Sequence, residues 1–192
     1  MLQILRKEFF YLSNLISFSR FILLPITLLL LINDAYLLSL IFIILIWISD
    51  LLDGYAARKR NEISELGKII DPLADKLSVA GIILVLLYKE IVPLWFVFVA
   101  VFRDFIIVIG ALYLKYRKNI VLQSNLIGKI TVFIIGLTMF ALVLKNVANS
   151  YGMNYISENM ELLINTLLLL SIVMSVFSLV SYFIKFKTII NN

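Results

Sequence analysis

Four aspartates are the residues of this chain best placed to do chemistry: Asp50 and Asp53, three apart, and Asp71 and Asp75, four apart. On a helix each spacing puts both carboxylates on one face. All four stand in or beside long apolar runs, where a central acid costs about 2.5–3.5 kcal/mol on insertion scales, so their presence calls for a reason. Gathered together and unpaired they would repel one another, and bound divalent cations would remove that repulsion. The chain has no cysteine and no histidine, which excludes thiolate and imidazole ligands, thiol nucleophiles and the usual general base. A donor set made only of oxygen suits a hard ion, Mg²⁺ or Mn²⁺. Two such ions about 3.5–4 Å apart, bridged by shared carboxylates, suit displacement at phosphorus.

Small residues accompany the acids. Gly54 and Ala57 fall on the Asp50/Asp53 face and Gly67 precedes Asp71 by four, so a flat or bulky group can approach the backbone there. Arg58 adds a planar donor suited to phosphate. Lys59 and Arg60 read more simply as charges that orient the chain in a membrane.

The elements that position these residues follow from composition. Of 192 residues 62% are hydrophobic and 15% charged, with a mean hydropathy of +1.06, against roughly 45–50% apolar in a soluble domain. The expected fold is an all-α integral membrane protein, a single membrane-embedded domain over residues 1–192 with six transmembrane helices. Apolar runs place them near 15–33, 37–57, 68–87, 92–114, 126–148 and 161–184, with 149–160 as a polar loop. A short loop joins the second and third helices antiparallel, which would bring the four carboxylates together. The first run follows Arg6, Lys7 and Glu8, lacks a small-residue cleavage site and continues past Pro25, so a removable signal peptide is not expected.

The net charge of +5 lies in clusters between apolar runs rather than along one face, which argues against a nucleic-acid partner. Arg6 and Lys7, Arg58 to Arg60, Lys115 to Lys118, and Lys185 and Lys187 all fall at one set of loops and ends, whereas the opposite loops hold Lys89 and Lys145. The positive-inside rule therefore predicts a multi-pass protein of the cell membrane with both termini and the acidic cluster on the cytoplasmic side.

Read in order, the residues give Asp50-x-x-Asp53-Gly54-x-x-Ala57-Arg58, eight residues, then Gly67-x-x-x-Asp71-x-x-x-Asp75. This resembles, position for position, the signature (here 50–75) of the CDP-alcohol phosphatidyltransferase family. Chain length, the six-helix layout and the Asn14-x-x-Ser17-x-x-Arg20 stripe of the first helix extend the likeness over most of the chain. The resemblance implies that Asp50, Asp53 and Asp71 hold one metal ion and that Asp50, Asp71 and Asp75 hold a second. It further implies that Asp75 takes the proton of the acceptor hydroxyl, and that Gly54, Ala57, Arg58 and Gly67, with Asn14 and Ser17, receive the CDP moiety of CDP-diacylglycerol. A homodimer is also implied.

The signature serves every acceptor alcohol alike, so the acceptor must be read elsewhere. The stretches 12–25 and 67–76, and Gly128-Lys129-x-x-Thr131, are most similar to family members whose acceptor is glycerol 3-phosphate. An acceptor phosphate needs cations, and Arg20, Lys68, Lys76, Arg103 and Lys129 are the spare basic residues on or near the spans. Arg103 lies beside Asp104, so a paired structural arginine is an equal reading. That Arg103-Asp104 pair also resembles members whose acceptor is phosphatidylglycerol, the cardiolipin-forming ones, and inositol phosphate remains open. From a different class, a small cation-coupled transporter would also place acids in its spans; the clustering at one interface, the glycines and Arg58 weigh against it.

Overall fold

The computed structural model describes residues 11–60, 67–118, 120 and 125–191, with the side chains of residues 12, 56–58, 60, 68, 69, 72 and 191 excepted. Six helices are present among them: α1 (Leu12–Ile32), α2 (Tyr36–Arg60), α3 (Gly67–Tyr88), α4 (Leu94–Lys118), α5 (Leu126–Ser150) and α6 (Asn154–Asn191). Five are long and apolar enough to cross a membrane. The remaining one, α3, carries Lys68, Asp71, Asp75 and Lys76 within its first ten residues and is uniformly uncharged only from Leu77 onward. The chain is an all-helical, multi-pass membrane protein, as its composition requires.

Packing divides it into two compact units, Met1–Lys89 and Glu90–Asn192. In the first, α1 is the central helix: it packs along α2 and along α3, whereas α2 and α3 barely touch. The expectation that α2 and α3 would assemble the acids by lying against each other is therefore replaced by a different arrangement, in which α1 stands between them. The sequence of α1 explains its place. Leu15, Ile22, Ile26 and Leu29 form an exposed apolar stripe, while Ser13, Asn14, Ser17, Arg20 and Thr27 are buried. This helix turns its polar face inward, as a helix bathed in lipid should. Against α3 it fits closely, since a Cβ on Gly81 would stand 3.3 Å from Leu28 Cδ1.

The far end of α1 is closed by a clasp. Asp34 adopts a positive φ of 59°, which Asp tolerates better than most residues, and Ala35 N–H donates back to Leu30 O at 2.9 Å. The Lys89 ammonium bonds Asp34 Oδ1 at 2.6 Å and Ile32 O at 3.1 Å, satisfying a carbonyl at the negative end of α1. The Lys89 hydrogen bond, with the Tyr36 hydroxyl second, holds the Asp34 carboxyl below its ordinary value.

In the second unit α6 is central, packing extensively on α5 and also on α4. Its interior is again a ladder of small polar residues. Thr138 Oγ1 lies 3.0 Å from Ser171 Oγ, and Thr131 Oγ1 donates to Met174 O at 3.0 Å. Such bonds are worth roughly 0.6–2 kcal/mol each in a membrane and fix which faces meet. Arg103, 4% exposed, ties three helices: Nη1 bonds Asp104 at 2.5 Å on α4, Nη2 bonds Ser178 Oγ at 2.8 Å on α6 and Gly128 O at 3.2 Å on α5. Gly128 sits where a Cβ would meet Asn125 Oδ1 at 2.8 Å and the Tyr182 ring at 3.0 Å. Lys118 closes the end of α6 as Lys89 closes α1, donating to Ile189 O and Ile190 O at 3.0 and 2.8 Å.

One expectation fails in this unit. Residues 149–160 do not form a loop: α5 runs to Ser150 and α6 starts at Asn154. Gly152 at φ 69° and a Met153 N–H to Ala148 O bond of 2.9 Å make the reversal in three residues. The polar stretch that follows is helix beyond the apolar span, held by a Lys145–Glu161 pair at 3.5 Å. Low hydropathy marks the end of the apolar run, which here is not the end of the helix.

Two outcomes test this packing. Gly128→Ala should cost about 1–3 kcal/mol, the usual range for overpacking, read as a lower midpoint of thermal unfolding in detergent; an unchanged midpoint would mean that Asn125 and Tyr182 yield freely. A carboxyl depressed on folding contributes stability above its unfolded value of about 3.9 and loses it as pH falls through the lower folded value. Asp34→Asn should therefore lower the melting temperature at pH 7, by a deficit that shrinks as pH falls through the depressed folded value; a deficit independent of pH would deny the clasp its ionic part.

Candidate functional site

Along α1 the polar residues Ser13, Ser17 and Arg20 recur at spacings of four and three, one buried face over the first turns. A hydroxyl and a guanidinium on that face meet acids from both neighbours. Ser17 Oγ lies 2.9 Å from Asp53 Oδ2 of α2 and 2.6 Å from Asp71 Oδ1 of α3, and it also approaches Ser13 O at 3.1 Å. Arg20 Nη1 bonds Asp50 Oδ1 at 2.8 Å, and its Nη2 bonds Asp53 Oδ2. Three of the four signature aspartates thus form one connected network, gathered by a helix that contributes no acid of its own.

Burial is uneven across it. Arg20 is 1% exposed and the Asp53 side chain 5%, whereas the Asp50 side chain is 51% exposed. The network therefore has a closed side, at Arg20 and Asp53, and an open side, at Asp50. Asp75 lies one turn beyond Asp71 on α3 and is exposed. Gly54 is half-buried, Gly67 and Asn14 are buried, and Lys76 is exposed. The side chains of Ala57, Arg58 and Lys68 lie outside the described residues.

The residues expected to form the site divide between the two units. Asn14, Ser17, Arg20, Asp50, Asp53, Gly54, Gly67, Asp71, Asp75 and Lys76 belong to the first, Arg103 and Lys129 to the second. Arg103 is engaged with Asp104, Ser178 and Gly128, while Lys129 is exposed on α5. Sequence reading missed what Ser17 and Arg20 do: it set them aside for the CDP and acceptor groups, and both bond signature aspartates. A signal was available, because an arginine inside a span needs carboxylates within reach, and Asp50 and Asp53 are the acids at the matching end of the next helix.

The donor chemistry fits a hard divalent ion. Carboxylate oxygens from two helices, a hydroxyl and no softer ligand are what Mg²⁺ or Mn²⁺ takes. The geometry adds a qualification of its own: among the described residues no three acids close on a single point, because the Arg20 guanidinium and the Ser17 hydroxyl link the carboxylates instead. Arg20 Nε, buried, has no hydrogen-bond partner, so among the described residues its guanidinium is held by the two carboxylates.

The pattern of the CDP-alcohol phosphatidyltransferase family matches residues 10–182. A CDP-diacylglycerol–glycerol-3-phosphate 3-phosphatidyltransferase of Aquifex aeolicus (strain VF5) is 34% identical over 180 residues, 92% of this chain and 96% of that protein. A protein of the same name from Bacillus subtilis (strain 168) is 36% identical over 112 residues, 58% of each chain. A cardiolipin synthase (CMP-forming) of Streptomyces coelicolor is 35% identical over 95 residues, 50% of this chain and 44% of that protein.

Removing the hydroxyl that Asp53 and Asp71 share should weaken the site locally. Ser17→Ala should cost about 1.5–3 kcal/mol, the range for a hydrogen bond to a charged group, in unfolding without added metal, and Ser17→Thr should recover most of it. No difference between the alanine variant and the parent would show that the network does not rest on Ser17.

Proposed function

The chain belongs to the CDP-alcohol phosphatidyltransferase family, and from that premise we propose that it transfers the phosphatidyl group of CDP-diacylglycerol to glycerol 3-phosphate, releasing CMP and forming phosphatidylglycerophosphate. The class itself is plain: a multi-pass membrane transferase of phospholipid biosynthesis that takes a CDP-alcohol donor and an alcohol acceptor. The observation that carries the site is the network through which Ser17 and Arg20 draw Asp50, Asp53 and Asp71 together. The choice of acceptor rests on the likeness to the Aquifex protein along nearly the whole of both chains.

In the proposed mechanism Asp50, Asp53 and Asp71 would hold one divalent ion and Asp50, Asp71 and Asp75 another, Mg²⁺ or Mn²⁺; bound there, they would supply positive charge to the phosphoryl oxygens. The exposed Asp75 carboxylate accepts the proton of the acceptor hydroxyl as that oxygen bonds to phosphorus and the bond to CMP breaks. Gly54, Ala57, Arg58 and Gly67, with Asn14 and Ser17, form the surface for the CDP moiety. Exposed Lys76, next to Asp75, meets the acceptor's phosphate as a point charge, with Lys68 as a further cation. Arg20 and Arg103, whose terminal nitrogens already bond protein oxygens, contribute to that reading by holding the framework. Residues 1–192 act as one membrane-embedded domain, working as a homodimer, with the active site and both termini facing the cytoplasm; the lysines and arginines of the loops support that orientation.

The partial likeness to cardiolipin synthases favours a second reading, with phosphatidylglycerol as acceptor. One assay separates the two: CMP release from CDP-diacylglycerol by purified protein with Mg²⁺ or Mn²⁺, offered glycerol 3-phosphate, phosphatidylglycerol or inositol phosphate. Release that depends on glycerol 3-phosphate is expected, dependence on phosphatidylglycerol would move the chain to the second reading, and excess chelator should silence either reversibly. Asp75→Asn should lower turnover by about 10²–10⁴-fold, the span of general-base contributions, in a protein that melts normally; a near-parental rate would remove Asp75 as the base.

A further inference from the structure

We propose that Arg20 is an internal cation that occupies the metal-binding carboxylates when no divalent ion is bound, and that it competes with the ion for them. The inference rests on the reading of Asp50 and Asp53 as metal ligands, and it concerns a positioning residue rather than a catalytic one.

Three observations lead to it. First, Arg20 is the most deeply buried charge among the described residues of the site, 1% exposed, and its two terminal nitrogens bond Asp50 Oδ1 and Asp53 Oδ2, on carboxylates read as metal ligands. Second, its Nε is buried without a partner, so among the described residues the bonds that hold the guanidinium are those of its terminal nitrogens to Asp50 and Asp53. Third, among the described residues no group of three acids closes on one point: the carboxylates are arranged around a planar fork, whereas an octahedral ion draws its oxygens to about 2.1 Å.

The energetics follow from burial. A guanidinium in a low-dielectric interior must be neutralised by neighbouring carboxylates, and removing one member of such a set is costly to the others. Without metal, Arg20 offsets the mutual repulsion of Asp50 and Asp53 and keeps the α1–α2 face assembled. A divalent ion entering the site meets carboxylates already bonded to Arg20 and must tolerate its charge nearby, so part of the ion's affinity is spent against a guanidinium competitor. The site is thereby held in shape while empty, and the ion binds more weakly than four aspartates alone would have it.

The test is metal binding rather than turnover. Free Mn²⁺ is measured by electron paramagnetic resonance against purified protein in detergent, and thermal unfolding is followed with and without saturating Mn²⁺. Relative to the parent, Arg20→Gln should melt lower without metal, gain more on adding Mn²⁺, and bind Mn²⁺ about tenfold more tightly, the factor that 1.4 kcal/mol supplies. Arg20→Lys keeps the charge but not the fork, so it should lie between the two; it carries the test alone if the glutamine variant does not fold. A variant that melts lower yet binds Mn²⁺ with parental or weaker affinity would overturn the competition and leave Arg20 a structural arginine. Failure of the parent itself to bind Mn²⁺ would instead overturn the metal reading on which the inference stands.

Discussion

A buried guanidinium in a helix surrounded by hydrocarbon has to be neutralised where it stands, and much of the first unit is arranged around that requirement. Arg20 can reach carboxylates only if α2 presents Asp50 and Asp53 to the inner face of α1. Once they do so, the fifth turn of α2 is fixed against the third of α1. Ser17, one turn earlier, extends the same face to Asp71 of α3. Two helices that scarcely touch each other are thus brought into register by a third. The apolar residues around them, Leu31, Ile43, Ile46, Ile82 and Leu86 among those most deeply buried, fill the space but have no directional preference that would choose this register over its neighbours. The charges and hydroxyls supply it.

The second unit solves the same problem with fewer acids. Arg103 finds one carboxylate, on its own helix, and completes its bonding with a serine hydroxyl and a backbone carbonyl. Gly128 makes that carbonyl accessible, and Asn125 caps α5 through Gly128 N–H at 2.7 Å. Each unit has a central helix whose buried face is polar and whose terminal carbonyls are bonded by a lysine from a neighbouring segment. In lipid, where apolar side chains gain little by meeting one another, this is the kind of contact that can specify an assembly.

Much of this was legible in the sequence, and what was not has physical causes. Helix positions followed from apolar runs because lipid demands them, and five of the six helices start and end within a few residues of expectation. Both ends of α6 run seven residues past it, since hydropathy reports where the hydrocarbon stops and says nothing about whether hydrogen bonding along the backbone continues past it. The four aspartates stood out because their cost in a membrane leaves few reasons for keeping them. That α1 would lie between α2 and α3 was not legible: loop length sets which helices can be neighbours, but the choice is made by Ser17 and Arg20 pairing with specific acids, and a single chain does not mark its pairs. The acids within reach of Arg20 were visible; that Ser17 would join Asp53 of α2 to Asp71 of α3 was not.

The two sides of α1 have different apolar lengths. Its outer stripe, from Leu15 through Ile22 and Ile26 to Leu29 and Ile32, runs about 26 Å, most of the helix and close to the thickness of a hydrocarbon layer. On its inner side the charge of Arg20 stands eight residues in, about 12 Å along the axis, leaving only about 18 Å of helix beyond it. Lipid beside α1 therefore meets a span of ordinary thickness and has no cause to thin, while the protein's interior is polar well below the level at which the helix enters. A charged headgroup at the open, Asp50 side of the network can therefore keep its acyl chains at normal depth, so the membrane is not deformed to bring the two together.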